Sequence, residues 1–67
     1  MERYLMESDS LLLTEVQAAK RLNLSSKTLS KIRKRGEIHF VKVGRAIRYD
    51  LEAILDWIMR SRTVAST

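Results

Sequence analysis

From residue 25 to residue 34 the chain reads Ser-Ser-Lys-Thr-Leu-Ser-Lys-Ile-Arg-Lys, hydroxyls and cations broken only by Leu29 and Ile32, three residues apart. Short hydroxyls can hydrogen-bond a phosphate oxygen or a base edge, and lysines can neutralise phosphates or reach guanine O6 and N7 in a major groove. A second basic group, Lys42, Arg45 and Arg48, brackets Gly44. An arginine on a tight turn can enter a narrowed minor groove, where the potential is more negative. Catalytic chemistry is poorly supplied by comparison. There is one histidine and no cysteine, and the two glycines, Gly36 and Gly44, lie apart and form no phosphate-cradling loop. So small a core also leaves little room for a ligand-sized pocket. No catalytic residue and no cofactor are expected, and the chain is not read as an enzyme. His39 has no second His, Cys or acid at ligand spacing, so no metal site is expected.

The charge distribution points the same way. Ten of the thirteen basic side chains fall between Lys20 and Arg48, with Glu37 the only acid among them. The two flanks are net acidic. A concentrated positive field on one compact unit is the electrostatic footprint of a nucleic-acid binder. A length of 67 residues allows one domain at most. Domains this small bury only about 60% of the surface of the unfolded chain, so modest stability is expected. The absence of cysteine excludes disulfides and thiolate metal sites and suits a reducing compartment. No apolar run approaches the ~20 residues that span a bilayer, and no basic leader opens the chain. The expectation is a soluble protein of a reducing cytoplasm, with no membrane partner.

The elements that must position these residues follow from local chemistry. Residues 1–10 show no clean period and are expected to be flexible. Leu11, Leu12 and Leu13 form a short apolar run. Thr14 with Gln17 is a capping box for a first helix, Glu15 to Leu22, with Val16, Ala19 and Leu22 expected on its inner face. Asn23-Leu24 makes a turn. Ser25 caps a second helix, Ser26 to Arg35, with Leu29 and Ile32 inward. Ser26, Lys27, Ser30, Lys31 and Lys34 then point outward, and Gly36 ends the helix. Residues 38–43 and 46–49 form a hairpin turning at Gly44-Arg45. Asp50 caps a third helix, Leu51 to Arg62, with Ile54, Trp57, Ile58 and Leu51 at helical spacing. Tyr49, Phe40 and Trp57 are read as core or core-edge residues. Residues 63–67 are expected to be a flexible tail.

The fold class is therefore mainly α with a small β-hairpin. The order helix, helix, hairpin, helix over residues 11–62 is a winged helix-turn-helix, the hairpin being the wing. On this reading the recognition helix offers Ser25, Ser26, Lys27, Thr28, Ser30, Lys31 and Lys34, and the wing offers Lys42, Arg45 and Arg48. Thr28 suits either a thymine methyl or the core edge. Arg33 and Arg35 are expected to flank the groove or stay solvated. Any one lysine on a helix is ordinarily a solvated side chain. The coincidence of charge, caps, turn and hairpin is what favours double-stranded DNA as the partner.

The sequence resembles the excisionase-like, MerR-related helix-turn-helix domains of bacteria and their mobile elements. The matching residues run from Leu13-Thr14-Glu15-Val16-Gln17-Ala18-Ala19 through Leu22-Asn23-Leu24-Ser25, Thr28-Leu29 and Ile32. They continue with Arg35-Gly36-Glu37-Ile38, Val41-Lys42-Val43-Gly44-Arg45, Ile47-Arg48-Tyr49 and Trp57-Ile58. The resemblance implies a second helix in the major groove and a wing near the minor groove. It also implies recombination directionality factors, which bind and bend attachment-site DNA beside an integrase, or small transcriptional regulators. Many relatives carry Arg or an aromatic where Ser26 and Ser30 stand, and Pro where His39 stands. Nothing in the chain matches the dimerisation helix and effector domain of MerR regulators, so ligand sensing is not expected.

Two functions within DNA binding follow. One is an excisionase-type architectural protein, with a tyrosine or serine recombinase as partner and self-association on DNA. The other is a small transcriptional regulator of a mobile element. A third reading, a protein-binding adaptor, would use the basic face against an acidic surface, with Tyr4-Leu5-Met6 and the third helix as a docking patch.

Overall fold

The computed structural model describes residues 11–63. The elements are β1 (Leu12–Leu13), α1 (Glu15–Arg21), α2 (Ser26–Lys34), β2 (Val41–Val43), β3 (Ala46–Asp50) and α3 (Leu51–Ser61). The expectations for residues 1–10, for Tyr4-Leu5-Met6 and for most of the C-terminal tail fall outside the described residues.

Each helix starts on a side-chain cap. The Gln17 N–H donates to Thr14 Oγ1 at 3.1 Å, while Gln17 Oε1 accepts the Thr14 N–H at 2.9 Å, which closes the capping box. Ser25 Oγ accepts from the Thr28 N–H at 3.1 Å, and Asp50 Oδ1 accepts from the Ala53 N–H at 2.8 Å. The first two helices end in the same way. Asn23 (φ 60°) and Gly36 (φ 78°) take the left-handed conformation. The N–H of the next residue, Leu24 or Glu37, then reaches back to the carbonyl of Ala19 or Ile32. This paired closure satisfies the last carbonyls and turns the chain sharply, which is why α2 follows α1 after so short a link.

The hairpin is one part of a larger sheet. β3 lies between β1 and β2, antiparallel to both. Leu12 faces Asp50 and Leu13 faces Tyr49 on one side, and Val41, Lys42 and Val43 face Arg48, Ile47 and Ala46 on the other. The expected two-stranded wing is therefore anchored by a third strand made from the apolar run before α1. Gly44 has a φ of 63° and Arg45 an ordinary one, the pattern of a two-residue hairpin turn with glycine first. The first half of the expected strand over 38–43 is not a strand. Ile38 is buried in the core, and regular pairing begins only at Val41.

The core is formed by Leu13, Ala18, Ala19, Leu29, Ile32, Ile38, Tyr49 and Ile54, with Leu22, Leu24, Ile47 and Trp57 packed around it. Val16 departs from expectation: it lies outside, and α1 turns Ala18 and Ala19 inward instead, with Leu22 packing at its C-cap. A seven-residue helix supports two plausible stripes, and the one with two alanines wins because small side chains let α1 approach the core closely. On α3 the inner face is Ala53, Ile54 and Trp57, whereas Leu51 and Ile58 are exposed. Phe40 is also exposed rather than core.

Candidate nucleic-acid interface

α2 buries Leu29 and Ile32 and turns Ser26, Lys27, Thr28, Lys31 and Lys34 to solvent. Thr28 is thus not a core-edge residue; its Oγ1 accepts a hydrogen bond from Ser25 Oγ at 2.9 Å. Ser25 itself is occupied as the cap, so the N–H groups of Ser26 and Lys27 are the ones open to an anion at this helix start. Between α1 and α2 lies an open concavity of about 450 Å³, lined by Glu15, Val16, Ser26, Lys27, Ser30, Lys31 and Lys34. The fold therefore gathers most of the expected recognition residues around one surface. Lys27, Lys31 and Lys34 have no ion-pair partner among the described residues, so their charge remains available.

The two arginines of this segment serve elsewhere. Arg33, expected to flank the groove or stay solvated, is half-buried. Its Nη2 lies 3.4 Å from Glu15 Oε1 and donates to Ser30 Oγ at 3.2 Å. Its guanidinium also sits 5.7 Å from the centroid of the Phe40 ring. Arg33 therefore clamps α2 to α1 and draws the half-buried Ser30 hydroxyl toward the helix interface. Arg35 grips Glu37 with two hydrogen bonds, of 3.1 and 3.2 Å, which largely cancels its charge. Arg60 bonds Asp56 and the Glu37 carbonyl, each at 2.9 Å, and so ties α3 to the segment after α2.

Behind the clamp stands Tyr49, fully buried on β3. Burial raises its phenol pKa above the usual 10.0, and the Glu15 carboxylate raises it further, while Arg33 opposes the rise. No well-formed hydrogen bond reaches the hydroxyl; the same holds for buried Glu15 Oε2 and Arg33 Nε. This polar cluster joins α1, α2 and the strand that carries the wing. The sequence held no signal for it, since Glu15, Arg33 and Tyr49 are far apart along the chain.

The wing places Arg45 at its turn and Lys42 on β2, both exposed. Arg48 differs. It is half-buried, and its Nη1 donates to the Ile47 carbonyl at 2.8 Å. In the strand register Lys42 shares a face with Ile47, and Arg48, one residue on, takes the opposite face. The three wing cations are thus not brought to one surface. A separate concavity of about 500 Å³ is lined by His39, Asp50, Glu52, Ala53 and Asp56. The fold brings acids toward His39 that sequence spacing did not reveal. Even so, no set of three such residues among those described can hold a metal ion. The sign of that face opposes a phosphate backbone.

The sequence model of the helix-turn-helix domain family matches residues 12–62, most of the chain. The chain belongs to this family. It includes excisionase-like DNA-binding domains, and three helices with a small antiparallel sheet make the present member a winged helix-turn-helix. No curated protein matches the chain. Membership supports DNA binding by this helix-turn-helix domain. Among the described residues no helix is long and apolar enough to cross a membrane.

Proposed function

We propose that this helix-turn-helix protein is an architectural DNA-binding protein of excisionase type, a recombination directionality factor. Copies bind adjacent sites in an attachment region, bend the duplex and favour excision by a tyrosine or serine recombinase. The reading assigns it no catalytic residue and places its work on nucleoid DNA in the bacterial cytoplasm. The observation that carries it is the set of unpaired lysines, Lys27, Lys31 and Lys34, around one open surface of the recognition helix. Arg45 at the tip of the wing supplies a second anchor. A single module of this size buries a small interface with DNA and binds weakly alone, so neighbouring contacts must supplement it. The outer face of α3 suits such contacts, because Leu51, Leu55, Ile58 and Met59 lie at helical spacing and all are exposed.

The experiment is a footprint of the purified protein on DNA flanking its own gene, titrated at two salt concentrations. Several phased, cooperatively filled sites beside a recombinase attachment sequence are expected. A single protected site over a promoter would instead assign the protein to transcriptional control of a mobile element. No protection even at low salt would remove DNA as the partner and favour the adaptor reading.

A further inference from the structure

Val16 is the apolar member of an otherwise polar and charged surface. It is 66% exposed, and it lines the α1–α2 concavity together with Ser26, Lys27, Ser30 and Lys31. Nothing in the packing of α1 calls for it, since the inward side chains of that helix are Ala18 and Ala19. We propose that Val16 reads sequence: its isopropyl group packs on the C5-methyl of a thymine in the major groove. This rests on the DNA-binding reading and names the chemistry that the same surface recognises.

The argument is one of complementarity. Base edges in the major groove present donors, acceptors and a single kind of apolar group, the thymine methyl. A branched hydrocarbon set against any other edge would strip water from a polar group without replacing its hydrogen bond. Lys27 and Lys31 stand on the same surface and reach phosphates or purine acceptors, so Val16 faces the duplex when α2 enters the groove. A β-branched side chain in a helix is also confined to essentially one rotamer, so its methyl groups are presented without further ordering on binding. The other α1 residue at this surface, Glu15, has Oε1 turned to Arg33, which weakens its repulsion of the duplex. The rival contact, Val16 against a deoxyribose, would carry no sequence information, and the test separates the two.

Duplexes are enriched from a randomised pool with the full chain. The enriched duplex is then resynthesised with deoxyuridine replacing each thymidine of the footprint in turn, which removes only the methyl group. At one thymine per bound copy, the uracil form is expected to bind the unaltered protein about three- to fivefold more weakly, the value of one buried methyl group. Val16→Ala should bind both forms equally, and Val16→Ile should keep the preference. Lys27→Ala should weaken both forms and leave their ratio unchanged. Equal binding of the thymine and uracil forms at every position by the unaltered protein would overturn the proposal. So would an undiminished thymine preference in Val16→Ala. If no duplex is enriched at all, the DNA-binding reading itself fails, an outcome distinct from loss of thymine preference alone.

Discussion

The cations of the interface divide into those held within the fold and those left open, and this division has a measurable consequence. Lys27, Lys31, Lys34, Lys42 and Arg45 are exposed and have no ion-pair partner among the described residues. Arg33, Arg35 and Arg60 are tied to carboxylates, and Arg48 to a carbonyl. Each phosphate neutralised on a duplex releases condensed counterions and contributes roughly 0.9 to the slope of log affinity against log salt. Five contacts give a slope of about −4.5, so raising salt from about 50 to about 200 mM should weaken binding roughly 500-fold. Lys31→Ala should bring the slope to about −3.6. Arg33→Ala should leave the slope near the parent value. It should instead destabilise the fold by about 2–3 kcal/mol, because the half-buried Glu15 carboxylate loses its partner. The assay is fluorescence anisotropy of a labelled duplex at several potassium chloride concentrations, with thermal melts of each variant in parallel. A parent slope shallower than about −2 would refute the reasoning. So would Arg33→Ala flattening the slope as much as Lys31→Ala.

Further outcomes are expected at three positions. Ser25→Ala should cost about 1 kcal/mol of stability in urea unfolding through loss of the α2 cap. Ser25→Asp should keep that stability yet bind duplex more weakly, since it puts a negative charge at the interface. Gly36→Ala should cost about 1 kcal/mol although nothing lies within 4 Å of the added methyl group; the left-handed backbone alone is responsible. Tyr49 holds its proton more tightly in the folded state than in the unfolded one. Its contribution to stability is therefore complete below about pH 10 and is lost as pH rises through and beyond that value. Melting temperatures of Tyr49→Phe should fall less steeply than those of the parent above pH 10.

What was legible in the sequence was mostly local. Thr14 with Gln17, Ser25 and Asp50 marked the helix starts, and Asn23, Gly36 and Gly44 marked the points where the chain must turn left-handed. Each of those signals acts within a few residues, so a single stretch of sequence contains it whole. The pairing of Leu12–Leu13 with β3 was not legible, because its partner is Tyr49–Asp50, far along the chain, and two residues carry no period. The Glu15–Arg33 clamp is hidden for the same reason, so Arg33 reads in the sequence as a groove-flanking or solvated side chain. Val16 takes the outer face although the sequence favours it inward, because alanine adds little to a hydrophobic stripe, yet its small size decides which face of a short helix packs. The spacing of the α2 lysines is enough to put them in solvent, but which of the neighbouring cations stay open depends on tertiary partners.

DNA binding by this protein requires the α1–α2 surface to meet the duplex. The most direct measurement is an amide chemical-shift titration of the isotopically labelled chain with an enriched duplex. Shifts should concentrate at Val16, at Ser25 through Lys34 and at Lys42 through Arg45; on a duplex cut to a single site, where copies cannot touch, the outer face of α3 should stay quiet. Perturbation centred on Leu51, Leu55, Ile58 and Met59, with α2 and the wing unmoved, would contradict it.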